Sequence, residues 1–179
     1  INTLNTDTSV HGIIVQRPLP KNIDELAVFD IIDPLKDVDG LRHDSRERYH
    51  ISCTAKAVIE LLENYRKKYG EKFSIGSNHV VVVGRGYNVG APLYKLILEK
   101  NPRAEQCHSQ TKNPEEMIGS ADILIVAVGK PNLIRPHMVK NGAVVVDVGT
   151  NEIKENGITR IVGDVDYTGL LPTVSYITP

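Results

Sequence analysis

Four consecutive valines, Val80 to Val83, run straight into Gly84-Arg85-Gly86-Tyr87-Asn88-Val89-Gly90-Ala91-Pro92. A short β-branched run predicts a buried strand, and the glycines with a proline close behind predict a tight loop that opens a helix. Strand, glycine loop and helix in that order are the first part of a unit whose parallel strands are joined by crossover helices. Such a loop can bring backbone N–H groups close to a phosphate without Cβ clashes, and the helix N-terminus adds partial positive charge. The spacing here, G-x-G-x-x-x-G, is one residue longer than the dinucleotide fingerprint. A plain strand-to-helix turn has the same pattern.

The rest of the chain alternates in the same way. Val10-His11-Gly12-Ile13-Ile14-Val15 predicts a strand closed by Pro18-Leu19-Pro20, and residues 23–32 a short helix ended by Pro34. Asp37-Val38-Asp39-Gly40 is a turn signal, and residues 41–50, rich in arginine and aspartate without apolar periodicity, read as a loop or linker. Thr54 is the expected N-cap of a helix carrying Val58, Leu61, Leu62 and Tyr65 on one stripe. After the glycine loop come a helix over 91–100, a strand over 103–107, a helix over 114–120, and strands over 122–128 and 143–148. Ile161-Val162 and residues 174–177 supply at most short closing strands. The expected class is α/β with a parallel sheet. Its strand ends are followed by glycine or small polar residues, and that shared edge is the expected ligand site.

Composition narrows the function classes. A net charge of −1 with pI near 6.7 gives no electrostatic footprint for nucleic acid, and no run approaches the length of a membrane span. The six histidines are scattered without metal-ligand spacing. Cys53 and Cys107 are too few for a disulfide framework and form no C-x-x-C pair, which suits a reducing compartment; the expected location is cytoplasmic, with a mitochondrial one left open. A chain opening on Ile1 and stopping at Thr178-Pro179 is expected to be cut at both ends.

Seven motifs carry a more specific resemblance. They are His11 to Pro20 (HGIIVQRPLP), Lys36 to Gly40 (KDVDG), Val83 to Pro92 around the glycine loop, Cys107 to Thr111 (CHSQT), Asp147 to Asn151 (DVGTN), Gly163 to Asp166 (GDVD) and Ser175 to Pro179 (SYITP). In this order, covering nearly the whole chain, they resemble the methylenetetrahydrofolate dehydrogenase/cyclohydrolase family. The resemblance implies oxidation of 5,10-methylenetetrahydrofolate to the methenyl form with NADP, commonly followed by hydrolysis to 10-formyltetrahydrofolate. It implies two α/β domains flanking a cleft, usually in a homodimer. Residues 51–179 would form a Rossmann-like, doubly wound NADP-binding domain, and residues 1–50 part of a second α/β substrate domain with its linker. Val15, Gln16, Arg17 and Asp39 would serve the tetrahydrofolate derivative, with Gln16 and Asp39 as the catalytic pair. Gly84, Arg85, Gly86, Ser109 and Thr150 would serve the cofactor. No metal is implied.

The chain departs from the family's pattern in several places. The segment with a tyrosine and a lysine four residues apart, the lysine handling protons, has no counterpart here, nor does the glycine-rich segment that follows the SYITP motif. Roughly ten residues that the family usually has between Gly40 and Cys53 are also missing. Arg17 stands for a usual leucine, Gly86 for a serine, Thr150 for an isoleucine, and Ser52 and Ala55 for prolines.

Physical chemistry gives each position an independent reading. Gln16 follows a strand, where an amide can both donate to and accept from a pterin ring, or serve as a solvated loop residue. Asp39 can accept from the amino-pyrimidine edge, or close an Asx turn before Gly40; Asp37 reads as structural. An NAD site needs a carboxylate at the end of the second strand, and that strand ends in Cys107-His108-Ser109-Gln110-Thr111-Lys112. Glu105 is the one acid available, and it lies inside the strand. Arg85 and Ser109 can instead supply a cation and a hydroxyl donor to a 2′-phosphate, or be a surface arginine and a helix cap. Cys53, His108 and His137 could substitute in proton transfer, but none has a visible partner to tune it, and each reads first as structural. Two other classes stay open: a different Rossmann dehydrogenase, and a degenerate, non-catalytic nucleotide-binding relative.

Overall fold

A computed structural model describes residues 1–42, 50–155 and 157–179. Most of the expected linker, residues 43–49, lies outside the described residues. The chain divides into two compact units, Ile1–Lys56 and Ala57–Pro179.

The first unit holds helices α1 (Asn2–Thr6) and α2 (Glu25–Asp30). Asp24 caps α2 by accepting from the N–H groups of Leu26 and Ala27, the usual use of an acid at a helix start. The strand expected over residues 10–15 reduces to a single parallel bridge between Ile13 and Asp37, with Ile13 N–H donating to the Lys36 carbonyl at 2.7 Å. One bridge does not make a ladder, so the segment stays extended without becoming a strand. Asp37 is buried, and its carboxylate accepts from the N–H groups of Gly40, Leu41 and Arg42. The Arg42 guanidinium in turn donates to the carbonyls of Asp30 and Ile32. Phe29, Ile32 and Ile13 form the buried apolar part of this unit, while Ile14 and Leu35 are exposed.

Helix α3 (Cys53–Tyr69) starts one residue before the expected cap at Thr54, and Ala55, Val58, Ile59 and Leu62 are its buried stripe at i, i+3, i+4, i+7. Leu61 and Tyr65 lie to the side of that stripe and are more exposed.

The second unit is built on a five-stranded parallel sheet of β1 (Val80–Val83), β2 (Glu105–Cys107), β3 (Ile123–Val126), β4 (Val144–Asp147) and β7 (Tyr176–Ile177), in the order β2-β1-β3-β4-β7. Every residue of β1 and β3 is buried, which explains why they read as unbroken Val/Ile/Leu runs. Helices α4 (Gly90–Lys100) and α5 (Pro114–Ser120) make the crossovers out of β1 and β2. Proline opens α5, and Glu115 and Glu116 complement its N-terminal dipole. The short helix α6 (Tyr167–Leu170) precedes the last strand and is capped by Asp166. Two strands stand apart from the sheet as an antiparallel hairpin, β5 (Asn151–Glu155) and β6 (Ile158–Val162).

Candidate functional site at the carboxyl edge of the sheet

Register brings three strand ends together. Val83 pairs with Cys107 on one side and Val126 on the other, so Gly84, His108 and Ala127 leave the sheet at one level. The chain goes from β1 out to β2 and returns past β1 to β3, which makes this the point where strand order reverses and a crevice opens. A cavity of about 470 Å³ lies there, within the range of small-molecule sites. Its wall includes Gly84, Arg85, Gly86, His108, Ser109 and Lys130.

The glycines have separate jobs. Gly84 has φ +116°, and a Cβ on it would lie 2.1 Å from the Ala127 carbonyl oxygen; one on Gly90 would lie 2.6 Å from the Gly84 oxygen. These two let β1, the β3 exit and α4 pack against each other. Gly86 is different, because a Cβ there would meet nothing within 4 Å. The N–H groups of Arg85 and Gly86 donate to no described residue, while the Gly86 carbonyl accepts from Ala91 N–H at 2.9 Å. Two free donors beside open space form a cradle for an anion. Gly84→Ala is therefore expected to destabilise the fold by at least about 1–3 kcal/mol through strain and clash, whereas Gly86→Ala leaves the melting temperature unchanged. Thermal denaturation of the two variants checks this, and equal effects would overturn the division of roles.

A structured turn continues the wall after β2. His108 N–H donates to the Thr111 hydroxyl at 2.9 Å, Thr111 N–H returns to the His108 carbonyl, and Gln110 N–H donates to His108 Nδ1 at 3.2 Å. Ser109 is exposed at its tip. Burial pushes the Cys107 thiol up, which keeps it protonated and unsuited to nucleophilic work. Glu105 points its chemistry elsewhere: its carboxylate meets His79 Nε2 at 2.7 Å, next to the start of β1 and at the opposite edge of the sheet. No carboxylate side chain lines the described cavity wall.

Two acids, one buried and one half-buried, shape the far side, and sequence reasoning assigned neither a role. Asp164 is fully buried, and its carboxylate accepts from the N–H groups of Val128, Gly129 and Lys130 and from the Asn151 side-chain amide, at 2.6–2.9 Å. Asp147 accepts from the N–H groups of Gly149, Asp164 and Val165. Burial nonetheless holds the Asp147 carboxyl above the usual carboxylate range, outweighing those three bonds. A Cβ on Gly149 would lie 2.2 Å from an Asp164 oxygen, and one on Gly163 would lie 1.8 Å from an Asp147 oxygen. Each acid thus packs on a glycine adjoining the other's loop. The local signal is an aspartate within two residues of a glycine at or just past two strand ends, DVG and GD.

The structure brings Gly84, Arg85, Gly86 and Ser109 onto one cavity. Thr150 does not join them: it is exposed ahead of β5 and outside the wall. His108 lines the cavity, Cys53 is exposed on α3, and His137 lies in a 3₁₀ turn over Pro136–Met138. In the first unit, Val15 and Asp39 each follow the Ile13/Asp37 bridge by two residues, at the same end of two parallel segments. Asp39 is half-buried and its carboxylate hydrogen-bonds to no described residue, because the turn before Gly40 is closed by Asp37. The Gln16 amide donates to the Arg17 carbonyl at 3.1 Å. Arg17 is held by Glu25 at 2.8 Å and stacks on Phe29, so its guanidinium is engaged inside the unit.

Fold and cavity define a nucleotide-binding protein of the parallel α/β type. Comparison with known proteins makes this specific: residues 52–179 match the NAD(P)-binding domain, and residues 1–39 the catalytic domain, of tetrahydrofolate dehydrogenase/cyclohydrolase, and the chain belongs to that family. It is 45% identical to the bifunctional protein FolD of Chlorobium chlorochromatii, over all of this chain and 64% of that protein. Among solved structures it superposes on the FolD methylenetetrahydrofolate dehydrogenase/cyclohydrolase of Campylobacter jejuni with a TM-score of 0.86 at 37% identity, covering 99% of this chain and 62% of that one. The Trypanosoma brucei enzyme, solved with NADP and an inhibitor, gives a TM-score of 0.84 at 34% identity, with 99% and 62% covered. The chain thus spans under two thirds of the length of these relatives.

Proposed function

We propose that this chain forms the nucleotide-binding unit and part of the folate-binding unit of an enzyme that oxidises 5,10-methylenetetrahydrofolate to 5,10-methenyltetrahydrofolate with NADP and hydrolyses the product to 10-formyltetrahydrofolate. The observation that carries this reading is the convergence of Gly84, Arg85, Gly86 and Ser109 on one cavity with no carboxylate on its wall. The free N–H groups of Arg85 and Gly86 suit a pyrophosphate, and the Arg85 guanidinium with the Ser109 hydroxyl suits a 2′-phosphate. Bound there, NADP would supply the hydride acceptor. The protein's own part in that step is alignment of the two reacting carbons and exclusion of water. On the folate side, Asp39 offers to the pterin amino edge a carboxylate with no hydrogen bond to a described residue, and Gln16, one residue past Val15, offers an amide. Arg17, already paired with Glu25, contributes by fixing the Val15-Gln16 backbone. Family membership further supports a homodimer and a cytoplasmic location.

In the intact polypeptide, NADP reduction should depend on added methylenetetrahydrofolate, followed by absorbance, and the particle should have twice the monomer mass by light scattering. Absence of any turnover alongside an active control enzyme would refute the activity. Asp39→Asn keeps the side-chain shape but points an amide donor at a donor, so folate turnover should fall by roughly 10-fold or more while calorimetric NADP affinity stays level. Parallel loss of NADP affinity would remove Asp39 from the substrate site.

A further inference from the structure

Gln110 lies outside the cavity wall, yet it holds Arg85, the cavity-lining guanidinium assigned above to an extra phosphate. Its carbonyl oxygen accepts from Arg85 Nη2 at 3.0 Å, across 25 residues of sequence. An arginine on an exposed glycine loop would otherwise sample many rotamers and lose that freedom on binding. Gln110 is itself anchored, because its backbone N–H is tied to His108 Nδ1 and the surrounding turn is closed twice between His108 and Thr111. Strand β2 therefore ends in a rigid turn that reaches over to the glycine loop. The partner's chemistry matters as much as its position. An amide oxygen orients a guanidinium without cancelling its charge, and it occupies one donor of five, leaving the others to an incoming anion. A carboxylate at the same place would pair with the fork bidentately and compete with phosphate for it.

We infer that Gln110 is a positioning and specificity-determining residue, which pre-orients Arg85 toward the 2′-phosphate of the cofactor while leaving the guanidinium's charge available. This rests on the NADP reading above. It goes beyond that reading by assigning discrimination to a residue that need not touch the ligand.

The test is calorimetric titration of NADP and NAD into the intact protein and into Gln110→Ala, Gln110→Glu, Arg85→Ala and the Arg85→Ala/Gln110→Ala pair. Gln110→Ala should weaken NADP roughly 3- to 10-fold with NAD unchanged, and Gln110→Glu should weaken NADP by at least about 10-fold. In the Arg85→Ala background, Gln110→Ala should have no further effect on NADP, since its action passes through the missing guanidinium. Unequal melting temperatures would not imitate this pattern, because a merely structural role would move both cofactors together. Equal losses for NADP and NAD, or an undiminished Gln110→Ala effect without Arg85, would overturn the proposal. Failure of the unsubstituted protein to bind either cofactor would instead refute the nucleotide site itself.

Discussion

Asp164→Ala should cost the protein about 3–5 kcal/mol, the largest loss expected from any single side chain here. Four donors converge on this carboxylate: three consecutive backbone N–H groups after β3 and the Asn151 amide. Without it the three backbone donors lose their acceptor, while the Asn151 amide keeps a long bond to the Val162 carbonyl at 3.4 Å, and each unsatisfied donor costs roughly 1–3 kcal/mol before water or local collapse offsets part of it. For a chain of 179 residues that corresponds to a melting-temperature drop of very roughly 6–20 °C. Asp164→Asn should recover only part of the loss. Each carboxylate oxygen accepts two of the four bonds, so an amide nitrogen in place of either one sets donor against donor. The functional consequence follows from geometry, since Val128 and Lys130 line the cavity and owe their backbone positions to Asp164. Cofactor affinity should fall in Asp164→Asn even at temperatures where the fold is intact. A melting temperature within about 2 °C of the unsubstituted protein for Asp164→Ala would show that the three amides are satisfied some other way.

The part of this architecture that the sequence displayed is the part where local pattern and tertiary burial agree. The valines of β1 and the Ile-Leu-Ile-Val of β3 are buried on both faces, and α5 begins at its proline; all three could be read from residue type alone. Hairpin β5–β6 was not legible, apart from Ile161-Val162 at its end. Asn-Glu-Ile-Lys-Glu is a polar, largely exposed strand, and it is stabilised by pairing with Ile158–Val162, which no window over its own residues displays. In the first unit the reverse error arises: residues 10–15 have the composition of a strand, but among the described residues only Ile13 bridges to another extended segment. At the site, the glycine loop and Ser109 were legible because their spacing from strand ends is local. The Asp147 and Asp164 pair was not, because the aspartates act on loops 17 to 36 residues away. Thr150 was assigned from resemblance alone, and its exposed place ahead of β5 gives it no part of the wall. Glu105 illustrates the value of the register: at the start of β2 and bonded to His79, it is spent at the wrong edge of the sheet to meet a ribose hydroxyl.

Arg85→Ala should divide the two nicotinamide cofactors sharply, weakening NADP by about 10- to 150-fold and NAD by about 2-fold or less. The first figure is the loss of one charge-assisted contact worth roughly 1.5–3 kcal/mol. The second follows because NAD lacks the group that the guanidinium would meet, and because the pyrophosphate cradle is built from backbone N–H groups that alanine keeps. Alanine is also compatible with the loop, since Arg85 is exposed and its one hydrogen-bonded side-chain partner, Gln110, is exposed as well. Fold stability should therefore be unchanged, which separates this variant from Asp164→Ala. Ionic strength offers a second handle. An exposed guanidinium meeting a phosphate dianion is screened by salt, so the preference of the unsubstituted protein for NADP over NAD should shrink as salt rises, and that dependence should flatten in Arg85→Ala. Titration of both cofactors at low and high salt would measure all four quantities. Equal weakening of NADP and NAD would mean that Arg85 only shapes the loop, and the 2′-phosphate would then have to be sought at other cavity-lining donors such as Ser109 or Lys130.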